Sequence, residues 1–99
     1  MTALVVRHVL LSKPVDEVAD EIRHVFPPAF RALPGFRSYY LSKVGADQAD
    51  IVMIWDTVAD AERAANVIAP GVYTDVIGPV LADDQPPTIG EAVVEFNAE

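Results

Sequence analysis

The sequence predicts one α+β domain over residues 1–99, with the strand–helix–strand–strand–helix–strand order of the ferredoxin-like fold. Three observations predict it. Short apolar runs rich in β-branched and aromatic residues indicate strands, longer segments carry apolar residues at helical spacing, and turn residues separate them. The usual structure for this order is an antiparallel sheet with both helices on one face.

The first strand is predicted at residues 3–11. This run is apolar except at Arg7 and His8, and it ends at Ser12-Lys13-Pro14. Because both sides of the alternation are apolar, the run is typical of a strand covered on both faces, and it is short for a buried helix.

The first helix is predicted to begin at Pro14, a residue suited to the first helical turn. Pro27-Pro28 lack backbone N–H donors, so we expect one helix to about Phe26 and a short second turn to Leu33, ended by Pro34-Gly35. The apolar positions with helical spacing are Val15, Val18, Ile22, Val25, Phe26, Ala29, Phe30 and Leu33.

A hairpin and a second helix follow. Residues 36–44 and 50–56 are predicted strands, joined by a turn at 45–48. Thr57 is a good N-cap for an alanine-rich helix over residues 58–69.

The last part of the chain is predicted to hold a further helical piece, a loop and a strand. Pro70-Gly71 interrupts the second helix, and Gly78-Pro79 stops the further piece. Residues 82–87 are predicted as a loop and residues 88–96 as the closing strand. The further helical piece carries Val72, Tyr73, Val76 and Ile77.

The apolar pattern predicts more buried surface than one small domain can cover. The hydrophobic fraction is 52%, slightly above the usual range of about 45–50%. The first and third strands are apolar on both faces, yet the helices cover only one. Packing the other face on a second copy, as a homodimer, is the commonest outcome, and an apolar ligand cavity is the other ordinary outlet.

Charge and cysteine content limit the partners. Fifteen acidic residues against seven basic ones give a formal net charge of -8, which repels phosphate-rich partners. We therefore expect no nucleic acid and no anionic membrane as partners. The chain has no cysteine, no apolar run near the ~20 residues of a membrane span, and no basic segment before its first apolar run. A cytoplasmic protein is expected.

Several motifs resemble a known family. Pro34-Gly35-Phe36 follows a helix and opens the second strand, which carries Tyr39-Tyr40-Leu41; the third strand ends Ile54-Trp55-Asp56-Thr57 before the alanine-rich helix. Over nearly the whole chain this resembles the dimeric α/β-barrel superfamily, especially the antibiotic biosynthesis monooxygenase-like domains. The resemblance implies two sheets packed face to face and a cleft between sheet and helices in each protomer.

The resemblance implies two chemistries and one possible site residue. Some members oxidise polycyclic aromatic substrates with O₂ and no prosthetic group, others degrade haem, and many have no assigned activity. Trp55 matches the third-strand tryptophan of the enzymes. The monooxygenases place an asparagine earlier on that strand, where this chain has Ile51 and Val52. The haem-degrading members use an asparagine on the first strand and a histidine on the second helix. In this chain the first strand offers Arg7 and His8 instead, and the second helix has no histidine.

The two candidate catalytic residues are His8 and Trp55. His8 interrupts an apolar strand, so it is either a general base or a hydrogen-bonded histidine of the core or interface. Trp55 either stacks on a planar substrate or fills the core. Arg7 points to the face opposite His8 and is expected at the dimer interface or in an edge ion pair.

The candidate substrate-binding residues are Tyr40, Asn66 and Tyr73. Tyr39 and Tyr40 point to opposite faces, and parity alone leaves open which one lines the pocket. Asn66 either binds a ligand or faces water, and Tyr73 lies where the second helix bends after Pro70-Gly71.

These residues support two functions. The first is a small oxygenase-type enzyme acting on a planar aromatic or polyketide-like substrate without metal or flavin. The second is a non-catalytic small-molecule-binding or structural protein of the same fold. No cofactor is expected, since no histidine or carboxylate cluster has metal-ligand spacing and no glycine-rich phosphate loop is present.

Overall fold

The structure, a computed structural model, describes residues 1–98 apart from the side chain of Asp84. It contains five strands, two α-helices, a π-helical segment and one 3₁₀ turn. In chain order these are β1 (Ala3–Leu11), α1 (Val15–Arg31), β2 (Phe36–Lys43), β3 (Gln48–Trp55), α2 (Val58–Ile68), the π segment (Ala69–Ile77), the 3₁₀ turn (Gly78–Val80), β4 (Leu81–Asp84) and β5 (Thr88–Glu91).

The strands form one antiparallel sheet in the order β2-β3-β1, with β4 and β5 both paired to the far side of β1. The central pair runs from Ala3 opposite Trp55 to Leu10 opposite Gln48. This arrangement confirms the predicted ferredoxin-like order. The central position of β1 explains its long apolar run.

The sheet has two faces that follow from residue parity. In β1 and β3 the odd-numbered residues face the helices and are mostly buried, whereas the even-numbered residues face away. We call the second surface the open face. Half-buried or exposed side chains make up the open face: Leu4, Val6, His8, Leu10, Tyr40, Asp50, Val52 and Ile54.

The core lies between the helix-facing side of the sheet and the helices. Trp55 and Phe30 are the largest fully buried side chains, with relative exposures of 1% and 2%. The amphipathic face of α1 supplies Val15, Val18, Ile22, Phe26 and Phe30, all buried. The core is one cluster that joins these residues to Ala3, Val5, Val9, Leu11, Ala49, Ile51, Trp55, Ala61, Ala64, Ile68, Val76 and Ile77.

The predicted break in α1 is wrong, because the helix continues through Pro27 and Pro28. The two prolines remove two backbone hydrogen bonds, and the carbonyls left without donors belong to the exposed Arg23 and His24, where water can reach them. Phe26 and Phe30 are buried on both sides of the prolines and their rings stack at 5.2 Å. This packing stabilises the continuous helix.

The end of the chain also differs from the prediction. Residues 82–87, predicted as a loop, overlap β4, whose backbone pairs with the end of β1. The residues of β4 have no alternating apolar pattern, so the periodicity of the sequence does not predict this strand. The predicted strand at 88–96 ends at Glu91, because Glu91 already pairs with Ala3, the first residue of β1. Beyond it Phe96 is 87% exposed.

The cap and the bend around α2 are as predicted. The Thr57 hydroxyl accepts a hydrogen bond from the Asp60 backbone N–H at 3.1 Å and so caps the helix. After Pro70 the chain turns through Gly71, whose φ of -102° and ψ of -115° are not helical. In residues 1–98 there is no helix both long enough and apolar enough to cross a membrane.

Gly35 forms the tight turn between α1 and β2. The Phe36 N–H bonds the Leu33 carbonyl at 3.4 Å, and Gly35 has a φ of 80°, as the third residue of a type II turn after proline requires. A Cβ at Gly35 would lie 2.3 Å from Oδ2 of Asp60, so the turn also packs against the first turn of α2.

We expect Gly35→Ala to lower the free energy of unfolding by about 1–3 kcal/mol, because alanine is strained at this φ and its Cβ displaces Asp60. Urea unfolding measures the change. Gly45→Ala is the control, since its Cβ would make an ordinary 3.5 Å contact with Gln48 at a φ that alanine adopts. Equal stability losses in the two variants would contradict the role of this turn.

Candidate functional site

A cavity of about 180 Å³ lies between the helix-facing side of the sheet and the α2–π segment. Trp55 and Met53 of β3 and Val5 of β1 form part of its sheet wall, while Tyr73 comes from the π segment. The complete lining is Val5, Arg7, Phe26, Phe30, Tyr39, Ile51, Met53, Trp55, Ala61, Ala65, Ile68, Ala69, Tyr73, Pro87 and Ile89.

The aromatic wall of the cavity is held together around Phe30. Its ring centroid lies 5.3 Å from that of Tyr39 and 5.5 Å from that of Phe36, both edge to face, and 6.5 Å from Trp55. Register brings these rings together, since Phe36 pairs with Trp55 across β2 and β3. Such contacts favour a rigid wall over a collapsible one.

Arg7 is the charged residue of the described cavity lining, and it points to the face opposite His8, as predicted. It shares the inward parity of Val5 and Val9, so it points away from the open face. Its Nε donates to the Gln85 carbonyl at 3.0 Å, and its guanidinium carbon lies 4.4 Å from the centre of the Tyr73 ring. Arg7 thus joins the π segment to the β4–β5 connection beside the cavity.

Tyr39 brings the second polar group, a phenol hydroxyl that is buried and has no hydrogen-bond partner within the described part of the chain. Burial raises the pKa of Tyr39 well above its usual value, and the neighbouring Tyr73 raises it further. The hydroxyl therefore keeps its proton and can donate a hydrogen bond to a ligand oxygen.

Tyr40, the tyrosine that the sequence analysis chose, lies on the open face with 56% of its surface exposed. A bulge in β2 between Phe36 and Ser38 explains the outcome. It lets Phe36 and Tyr39 face the same side although they are three residues apart. Strict alternation from Phe36 would have turned Tyr39 away.

His8 and Trp55 lie on opposite faces of the sheet and share no cavity. His8 pairs with Asp50 across β1 and β3, and its Nδ1 donates to Asp50 Oδ1 at 2.7 Å. Both side chains are about half exposed on the open face. Asn66 is exposed on α2 and outside the cavity lining. Of the five predicted site residues, the cavity brings together Trp55 and Tyr73.

Sequence reasoning missed Arg7 and Tyr39 as cavity residues. A usable signal existed for Arg7, because a charge between Val5 and Val9 at core parity is uncommon without a ligand or partner. For Tyr39 the deciding feature was the bulge, which no residue pattern in β2 announces.

A second, more open groove of about 690 Å³ runs between α1 and the free edge of β2. Its rim carries charged side chains, among them Asp16 and Lys43, which form an ion pair at 2.9 Å. It is a solvated groove, and the cavity beside Trp55 has the features of a small-molecule site. Among residues 1–98, Asp84's side chain aside, three or more histidine, aspartate or glutamate side chains nowhere gather as a metal site would require.

Comparison with known proteins gives structural matches only. No family model and no curated protein matches the sequence. The cofactor-independent oxygenase SnoaB from Streptomyces nogalater is similar, with a TM-score of 0.76 at 12% identity, covering 99% of this chain and 98% of that one. A putative antibiotic biosynthesis monooxygenase from Bordetella bronchiseptica has a TM-score of 0.74 at 14% identity, covering 94% and 98%.

A third similar structure is a variant of MhuD with two manganese protoporphyrin IX molecules bound per active site. Its TM-score is 0.74 at 17% identity, covering 99% of this chain and 100% of that one. At these identities the matches establish the fold. The chain therefore shares the fold of these structures, among them a putative antibiotic biosynthesis monooxygenase, as the sequence resemblance predicted.

Proposed function

We propose that this protein is a small oxygenase-type enzyme that binds a planar aromatic substrate in the cavity beside Trp55 and needs neither metal nor flavin. The observation that carries the proposal is a partly open apolar cavity whose lining includes Arg7 and Tyr39, the latter with a buried hydroxyl that has no partner in the described part of the chain. Similarity to SnoaB, described as a cofactor-independent oxygenase, supports the choice of chemistry.

The proposed reaction uses the substrate as its own reductant. The substrate anion gives an electron to O₂ from a carbon that bears hydrogen, and the resulting radicals combine into a carbon–oxygen bond. The protonated hydroperoxide then loses water and leaves a carbonyl on that carbon. One oxygen atom of O₂ stays in the product, and the other leaves with two substrate hydrogens as water.

Four side chains have roles in this proposal. Trp55 forms part of the apolar wall behind the substrate ring, and the Tyr39 hydroxyl donates a hydrogen bond to the substrate oxygen, where negative charge develops. Arg7 adds a positive charge to the same wall, and Tyr73, stacked on Arg7, closes the cavity.

His8 is not the base in this arrangement, because it lies on the opposite face of the sheet from Trp55. Within the described part of the chain, the polar side chains that line the cavity are those of Arg7, Tyr39 and Tyr73, none of which is a carboxylate or an imidazole. We therefore propose that the substrate is a compound acidic enough to bind as its anion, or to ionise as it binds, without a carboxylate or imidazole beside it.

A second function, non-catalytic binding of a small molecule, is favoured by the same lining. A pocket whose described lining holds neither an imidazole nor a carboxylate binds a planar molecule equally well without reacting with it. Both functions predict that the cavity binds a planar molecule, but only the first predicts that oxygen is consumed.

We also propose that the protein is a homodimer whose two open faces pack together. Leu4, Val6 and Tyr40 are exposed there, and Val52 and Ile54 are only half buried. Apolar side chains on two adjacent strands form a surface that isolated small domains rarely leave in water.

A location in the cytoplasm, expected from the absence of cysteine, remains a prediction.

Oxygen uptake with a panel of quinols and anthrone-like compounds tests the first function. We expect uptake above the protein-free rate for a responsive compound, and Tyr39→Phe to lower kcat/KM by roughly 10- to 100-fold through loss of a donor to the developing charge. His8→Ala and Tyr40→Phe, both on the open face, are controls expected to retain activity. Loss of activity in His8→Ala with full activity in Tyr39→Phe would overturn these assignments. Binding without uptake across the panel would favour the non-catalytic function.

Sedimentation tests the dimer. We expect a dimer at micromolar concentration and a monomer for Val6→Glu, because the new carboxylate would lose water at the centre of the packed faces. Val67→Glu is the matched control, since Val67 is 57% exposed on α2 rather than on the open face. A monomeric parent protein, or a dimer unaffected by Val6→Glu, would rule out this interface.

A further inference from the structure

We infer that the cavity selects a single-ring phenol over fused polycyclic aromatics, with the phenol oxygen accepting a hydrogen bond from Tyr39. This inference rests on the proposed function for the location of the site, and it adds the substrate class. Two independent observations carry it: the volume of the cavity and the buried, unpartnered hydroxyl of Tyr39, which is one of the lining residues.

The volume limits the ligand to one ring. The cavity holds about 180 Å³. Sites for drug-sized ligands measure roughly 300–1,000 Å³, whereas an apolar cavity of about 150 Å³ takes up benzene. A benzene ring with one or two small substituents therefore fits, and three fused rings do not.

The walls oppose enlargement. On one side Phe30 contacts Tyr39 and Phe36 edge to face and Trp55 in a tilted arrangement, so widening the cavity there would separate several packed rings. On the other side Arg7 contacts both Tyr73 and the Gln85 carbonyl. Admission of a larger ligand would break these contacts.

The Tyr39 hydroxyl determines the chemistry of the ligand. A buried hydroxyl without a partner loses stability that a hydrogen bond would restore. Because burial favours its protonated form, the group acts as a donor and needs an acceptor oxygen. A ring oxygen placed against Tyr39 supplies that acceptor while the rest of the ring contacts Met53 and Ile89, two half-buried aliphatic side chains of the lining.

The protein contains its own reporter of binding. Trp55 is the only tryptophan of the chain, lines the cavity and is 1% exposed, so its selectively excited fluorescence responds to occupation of this site. Two probes of nearly equal size, para-cresol and para-xylene, differ by a hydroxyl in place of a methyl group. Their affinity ratio therefore measures recognition of the oxygen.

We expect both probes to change the fluorescence saturably, and the ratio of para-cresol to para-xylene affinity to fall about tenfold in Tyr39→Phe, because the cresol hydroxyl then loses its partner. Tyr40→Phe removes the same atom on the open face and should leave the ratio unchanged. Binding of para-xylene by Tyr39→Phe also verifies that this variant keeps its fold.

An unchanged ratio in Tyr39→Phe would overturn the role of this hydroxyl. Saturable binding of anthrone at Trp55 with higher affinity than para-cresol would overturn the size limit. The proposed function fails separately: cresol binding without oxygen uptake from any single-ring phenol leaves the ligand class standing and rejects the oxygenase. Oxygen uptake with anthrone, together with no binding of para-cresol, would reject the ligand class and leave the oxygenase standing.

Discussion

The antiparallel register between β1 and β3 is the constraint on which the rest of this structure depends. It runs without a bulge from Ala3 opposite Trp55 to Leu10 opposite Gln48. Because successive side chains point to opposite faces, this one alignment sends Val5, Arg7 and Trp55 towards the helices. The cavity and the open face are two consequences of the same pairing.

An unfilled cavity lowers the stability of a domain, and a domain of this size has little stability to lose. A cavity of about 180 Å³ leaves its lining side chains without contacts that a filled core would supply, and domains are stable by only about 5–15 kcal/mol. Filling it would need only larger residues at Ala61, Ala65 or Ala69, all of which line it. Small residues at these positions favour a binding role for the space.

The sequence predicted the fold better than the site, for physical reasons that differ by residue. Local signals were sufficient for β1, for the Thr57 cap and for the hairpin, since apolar runs and turn residues specify them. They failed at β4, whose pairing with β1 depends on backbone contacts distant in sequence. They also failed at Pro27-Pro28, where tertiary packing of the neighbouring phenylalanines outweighs two lost hydrogen bonds. For the site, the β2 bulge decided which of Tyr39 and Tyr40 faces the helices, and alternation along the strand does not reveal it.

Alternate residues of β1 face the cavity and the open face, so substitutions on the two faces have separate effects. Substitutions at Val6 or His8 alter the surface offered to a second copy, and substitutions at Arg7 alter the cavity, so the two can vary independently although they are adjacent in sequence. For the same reason, the pairing of β1 with β3 does not tolerate a shift in register. A shift of β1 by one residue against β3 would exchange the two sets of side chains at once, placing His8 on the cavity side of the sheet and Arg7 on the open face. An insertion within Ala3–Leu11 is therefore far more disruptive than any single substitution there.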